Sequence, residues 1–291
     1  MKPDLVVVGT DGSEQSFQAV EWAASEAMMR GAELRIVSVP TLLPRMSWRH
    51  GPEGTPDSVA DTIVKSYEHS LAWAAGRAAE VEPDLAVHTA LLPGGPAAAL
   101  TEAASDASML VVGSRGGGGF AALMLGSVSR YVATRADCPV VVVREETMAV
   151  HREVVVGVRD PDEPAAIGFA FAEASLRKAR LRAVHAWHLF LPEMRLTATE
   201  RPGAAAEEVT AEASEWLSGL LAFWREKYPE VDVVEEVVYS SPGRVLVASS
   251  ARADLVVLGR NSGDDSSHLG AAPVIHAVLS HAHGPIAIVP E

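Results

Sequence analysis

The sequence of 291 residues predicts an α/β protein made of two tandem, doubly wound parallel sheets of five strands each. Three observations predict it. Short runs such as Leu5–Gly9 and Val140–Val143 are apolar at nearly every position, the mark of strands covered on both faces. Longer segments with apolar residues at helical spacing separate these runs, so strands and helices alternate and require right-handed crossovers within a parallel sheet. The whole series then occurs a second time, and an internal repeat of that length means two copies of one domain.

In the first copy, Leu5–Gly9 is the opening strand, broken by Thr10, Asp11, Gly12 and Ser13. Glu14–Arg30 follows as a helix, with Phe17, Val20, Trp22, Ala24, Ala27 and Met28 at near-helical spacing and Gly31 to close it. Residues 34–39 form the second strand. Prolines 40, 44, 52 and 56 exclude regular structure over 40–56, which reads as a loop or lid. Residues 57–80 read as a long helix, 85–92 as a strand and 96–105 as a short helix. A strand over 109–112, a glycine-rich loop, a helix over 128–135 and a strand over 139–144 complete the copy.

The second copy repeats this order. Strands are expected at 153–158, 181–187, 231–239, 254–259 and 285–289, and helices at 163–179, 204–227, 242–251 and 275–282. Gly113 and Gly259 correspond without a gap as far as Pro139 and Pro285. The boundary falls near residues 148–152, giving domains at 1–147 and 152–291.

Composition narrows the function. A formal charge of −14 argues against a nucleic-acid binder or a protein of anionic membranes, because phosphate backbones need a broad basic surface. Cys138 is the lone cysteine, so no intrachain disulfide can form, and its place before Pro139 and a valine run suits a buried thiol better than a nucleophile. The N-terminal residues pass straight into a strand with no apolar signal region, and no run has the length of a membrane span. These features point to the cytoplasm.

The most informative stretch runs from Met109 to Val128. A strand ends at Gly113, Ser114, Arg115, Gly116, Gly117, Gly118 and Gly119 follow, and Gly126, Ser127 and Val128 open a helix. Backbone N–H groups bared by glycine can converge on an anion, and a helix start adds unpaired amides and the positive end of its dipole. Ser127 is expected to be the N-cap hydroxyl. Consecutive glycines alone could be a plain flexible connection, but the strand before and the helix after supply what a phosphate cradle needs. No P-loop run is present, and Gly9-Thr10-Asp11-Gly12 does not complete a dinucleotide fingerprint.

The spacing of Gly113, Gly116 and Gly126-Ser127 closely resembles the nucleotide-binding pattern of the universal stress protein family, and the resemblance spans both halves. It implies a Rossmann-like sheet with strand order 3-2-1-4-5, so that the first and fourth strands end side by side at a topological switch point, where open α/β sheets bind ligands. Gly9, Thr10 and Asp11 would then meet Gly113. Carried over residue by residue, the resemblance implies Asp11 beside the nucleoside, the Val39 backbone at the adenine edge, and Gly113, Gly116, Gly126 and Ser127 at the phosphates with Val128 beside them. The implied ligand is the adenine nucleotide ATP, with or without magnesium. Relatives of this kind join two domains through their last strands, which implies an intrachain pseudo-twofold pair through residues 140–143 and 286–289, and homodimerisation beyond it.

Other residues support blander readings. Asp11 could be only a turn or capping residue, and Arg115 only a solvated loop arginine. His185 and His188, three apart on a strand, point to opposite faces and read as packing. His281 and His283 are expected in a loop without a third metal ligand. No nucleophile-base-orienter set stands out, and the serines at 249, 250, 266 and 267 lack a nucleophile elbow. A regulatory or sensing role in the stress response is therefore expected ahead of a slow ATPase, an adenylate-transferring enzyme or a scaffold without nucleotide.

The second copy departs from the pattern. Ser262 replaces Gly116, Ala272 replaces Gly126, Pro273 replaces Ser127, Asp264 and Asp265 replace Gly118 and Gly119, and Arg159 falls opposite Asp11. Nucleotide binding is expected mainly in the N-terminal domain, with the second copy a structural partner.

Overall fold

A computed structural model describes residues 4–40, 59–116, 125–144, 150–159, 164–187, 204–260 and 271–291. The chain divides into two compact units, Met1–Glu145 and Glu146–Glu291. In the first, the strands are β1 (Leu5–Gly9), β2 (Glu33–Ser38), β3 (Val87–Leu91), β4 (Met109–Gly113) and β5 (Val140–Val143), and the helices are α1 (Glu14–Arg30), α2 (Val59–Val81), α3 (Pro96–Ala103) and α4 (Ser127–Arg135). In the second they are β6 (Glu153–Gly157), β7 (Arg180–Trp187), β8 (Val233–Tyr239), β9 (Leu255–Arg260) and β10 (Ile286–Pro290), with α5 (Pro164–Arg177), α6 (Ala204–Lys227), α7 (Pro242–Ser250) and α8 (Ala271–His281).

Within the first unit the strand order is β3-β2-β1-β4-β5, and every pair is parallel. The second unit has the same order as β8-β7-β6-β9-β10, again all parallel. This is the doubly wound arrangement, with α1 against α2 and α3 against α4 as helix pairs and α5–α6 and α7–α8 as their counterparts. The central strands carry the cores: Val6, Val7, Val8, Leu110 and Val111 in one unit, and Val154, Val155, Val156, Val256 and Val257 in the other, are fully buried.

Several boundaries differ from the sequence expectation. Leu85 lies outside β3 because its N–H turns back to the Glu82 carbonyl at 3.2 Å, and Val231 does the same to Tyr228 at 3.1 Å. Each bond holds the residue in a helix-to-strand turn, although an apolar residue there looks in sequence like the first of a strand. His281 closes α8, inside the helix expected over 275–282 and not in the loop expected for the His281 and His283 pair, and the helix bonds continue to Ala282, whose N–H reaches the Val278 carbonyl at 2.9 Å.

The two copies differ along the seam between their first two helices. The cap bonds of α1 and α5 (Ala32 to Ala27; Ala179 to Ala174) place Glu21 opposite Gly168, and those closing α2 and α6 (Glu82 to Ala78; Tyr228 to Trp224) place Ala78 opposite Trp224. In the first unit Arg77 reaches across the seam to Glu21 and, at 3.2 Å, to Glu14. In the second, Trp224 fills the space instead, so close that a Cβ on Gly168 would lie 2.3 Å from its ring.

Candidate functional site

The first unit assembles its site from the C-terminal ends of β1, β2 and β4. Gly9 stands in register with Val37 on one side and Val112 on the other, so the chain leaving β1 emerges between its two neighbours. Gly9 has to be small: a Cβ there would come 2.9 Å from the Leu100 side chain of α3. Thr10 stays anchored, its N–H donating to the Val37 carbonyl at 2.8 Å and its Oγ1 sharing a hydrogen bond with the Ser16 hydroxyl at 2.8 Å. The Ser38 hydroxyl donates to the Thr10 carbonyl at 2.7 Å. This buried hydroxyl set, of which the sequence reading singled out only Thr10, locks the turn that presents Asp11.

Asp11 is exposed, and its Oδ1 accepts from the Ser13 N–H at 3.0 Å and the Ser13 hydroxyl at 2.6 Å. Its turn role is therefore real. The same carboxylate also faces the glycine loop: a Cβ on Gly116 would lie 2.3 Å from Asp11 Oδ2. Two segments more than a hundred residues apart thus meet at one point, and the absence of a side chain at 116 makes room for the acid.

The loop itself is stapled at both ends. The Ser114 N–H donates to the Val143 carbonyl at 2.8 Å where the chain departs from β4, and the Gly126 N–H donates to the Ser114 carbonyl at 2.8 Å where it returns. Gly113 passes so near α1 that a Cβ would sit 3.0 Å from the Gln15 carbonyl oxygen. Arg115 is half-buried beside it. Gly117, Gly118 and Gly119, like the proline-rich segment at 41–58, lie outside the described residues.

One expectation is corrected at the start of α4. The N-cap is Gly126, with extended backbone and no side-chain cap, and Ser127 is the first helical residue. The Ser127 hydroxyl is therefore not the cap, and no side-chain cap bond is made at this helix start among the described residues. The hydroxyl that binds backbone here is that of Ser129, which donates to the Gly113 carbonyl at 2.6 Å and ties the helix to the strand end. Val128 lies between them, half-buried.

Val39 follows β2 and is buried. The Val37 carbonyl points toward β1 and the Ser38 carbonyl toward β3, where it accepts from Leu92 at 2.9 Å.

The remaining candidates behave as structure. Cys138 is buried, and burial pushes its thiol up to about 11, which leaves it neutral and a poor nucleophile. His185 packs edge-on against Trp216 at 4.9 Å, with Nδ1 2.9 Å from the Val158 carbonyl, and His188 lies outside the described residues. Among the described residues no group of three or more His, Cys, Asp or Glu is placed to hold a metal, and no helix is long and apolar enough to cross a membrane.

The second unit places Arg159 after β6 and Pro273 within the first turn of α8, as the sequence alignment of the copies requires. Residues 261–270, with Ser262, Asp264 and Asp265, lie outside the described residues.

Comparison with known proteins agrees with this architecture. The model of the universal stress protein family matches the chain twice, over residues 4–144 and 151–290. A universal stress protein of Mycobacterium tuberculosis strain H37Rv is 34% identical over 97% of this chain and 96% of its own. Among solved structures, a universal stress protein from Archaeoglobus fulgidus shares the fold with a TM-score of 0.68 at 16% identity, covering 100% of this chain and 99% of that one. A further universal stress protein, solved in complex with cAMP, is 30% identical over 49% of this chain and 97% of its own, with a TM-score of 0.37.

Proposed function

The chain belongs to the universal stress protein family, and on that premise we propose that its first unit binds ATP at the crevice between β1 and β4 and that occupancy of this site regulates the protein's state or its partners. The observation that carries the reading is the meeting of Asp11 with Gly116, two loops joined across a topological switch point where a side chain at 116 would displace the acid. The phosphates would lie against Gly113, Ser114, Gly116, Gly126 and the opening amides of Ser127 and Val128. The base would lie against Val39, and Asp11 would accept from the ribose hydroxyls. Arg115, half-buried in the loop, would stand beside the phosphates as a cation.

Nothing among the described residues supplies a lysine from a P-loop or a base placed to activate water, and this favours holding the nucleotide over turning it over. Association of two chains belongs to the same proposal; light scattering that returns a clean monomer at high concentration removes it. The test of the binding itself is mass spectrometry of nucleotide carried through purification, followed by phosphate release. Adenine nucleotide retained with little phosphate released supports the reading. A ligand-free preparation that also fails to take up ATP in calorimetry overturns it.

A further inference from the structure

The second unit has a cavity of about 90 Å³ at the ends of β6, β7 and β9, where the first unit has its crevice. The correspondence is fixed by backbone bonds. Val158 donates to the Val184 carbonyl as Thr10 does to Val37, and His185 meets the Val158 carbonyl as Ser38 meets that of Thr10. Ala282 bonded to Val278 matches Ala136 bonded to Val132, which sets Ile275 opposite Ser129.

At these equivalent places the chemistry is inverted. Thr10 and Ser129 bring hydroxyls to the first crevice, whereas Val158 and Ile275 bring only methyl and methylene groups. Val184, Leu246, Leu258 and Val274 complete an apolar wall. The Nδ1 of His185 is already engaged with a carbonyl, and Pro273 removes one N–H from the first turn of α8. An amide cradle for a polyphosphate is thereby weakened, while the apolar walls suit an apolar guest. Arg159 also lines the cavity and is exposed at its mouth, an arginine where the first unit has an aspartate.

We infer that the second unit binds a small apolar carboxylate, its hydrocarbon body enclosed by Val158, Val184, Leu246, Leu258, Val274 and Ile275 and its carboxylate held by Arg159. Guanidinium suits a carboxylate because its paired N–H groups match the two oxygens. The site is distinct from the nucleotide crevice, so its fate does not depend on ATP binding by the first unit.

The probe is benzoate, with benzyl alcohol as its uncharged counterpart, titrated into the full chain and followed by methyl-resolved NMR and calorimetry. Benzoate is expected to shift the methyl signals of Val158, Val184, Val274 and Ile275 and to bind at least tenfold more tightly than benzyl alcohol. Arg159→Met, on an exposed side chain, is expected to erase that preference while leaving benzyl alcohol binding unchanged. Val274→Trp, at the half-exposed start of α8, is expected to abolish binding of both. The inference is overturned if benzoate leaves these methyl signals unmoved, if benzyl alcohol binds as tightly as benzoate, or if saturating ATP displaces benzoate.

Discussion

Replacing Gly116 tests the junction on which the nucleotide reading stands. In Gly116→Ala the new Cβ would lie 2.3 Å from Asp11 Oδ2, so the carboxylate has to withdraw by about 1 Å to reach ordinary contact. Asp11 is exposed and can swing outward at the cost of its bonds from the Ser13 N–H and hydroxyl, about 1 kcal/mol each. The fold survives that loss, but the acid no longer stands where a ribose would meet it, and ATP affinity should fall about tenfold. Gly116→Asp adds a unit charge beside the phosphates. At an effective dielectric near 20 and a separation of about 6 Å, each charge pair costs about 3 kcal/mol before salt screening, or about a hundredfold in affinity. Isothermal calorimetry with parallel thermal melts separates binding from folding. Wild-type affinity in both variants would refute the reasoning, since it would mean that the ligand never approaches this loop.

Three further outcomes are expected. Saturating ATP should titrate one site per chain, because Arg159 replaces Asp11 and Pro273 stands in the first turn of α8; two equal sites by calorimetry would contradict this. Cys138 has its ionisation raised by burial, so the stability that its neutral thiol contributes is complete below about pH 8.5 and is lost as pH rises toward 11. Urea midpoints of wild type and Cys138→Ala should therefore diverge least in alkali, and the native thiol should react with a disulfide reagent at pH 8 far more slowly than the unfolded one. Lys178 ends α5 with a φ of 50°, where Gly31 ends α1 with a φ of 64°. Lys178→Gly should raise stability by about 0.5–1 kcal/mol, read as a higher denaturation midpoint; a lower midpoint would show that the lysine side chain compensates for its backbone.

Much of this molecule was legible in the residues themselves. Runs such as Leu5–Gly9 are unbroken because both faces of the sheet are covered, and burial on both faces leaves a plain mark in sequence. The glycine loop was legible for a similar reason, since close approach selects against side chains. Hydroxyl positions were not. Ser16, Ser38 and Ser129 make their bonds to residues that are distant in sequence or on another element, and serine is too common for its place to speak. Ser127 misled for the converse reason: its hydroxyl stood near a helix start, but the backbone turned one residue earlier, at Gly126. The apolar cavity was present in sequence as the exchanges Thr10 for Val158 and Ser129 for Ile275.

The unlike seams of the two units bear on how the chain reaches its native state. Tandem copies of one topology risk exchanging equivalent helices while they fold, a characteristic failure of repeated domains. Here α6 carries Trp224, which needs the socket left by Gly168, and α1 offers Glu21 at that place. Conversely α2 brings Arg77, whose acid partners Glu14 and Glu21 sit on α1. A mispaired intermediate would bury indole against carboxylate on one side and leave an unfilled notch on the other, which disfavours exchange of the two helices.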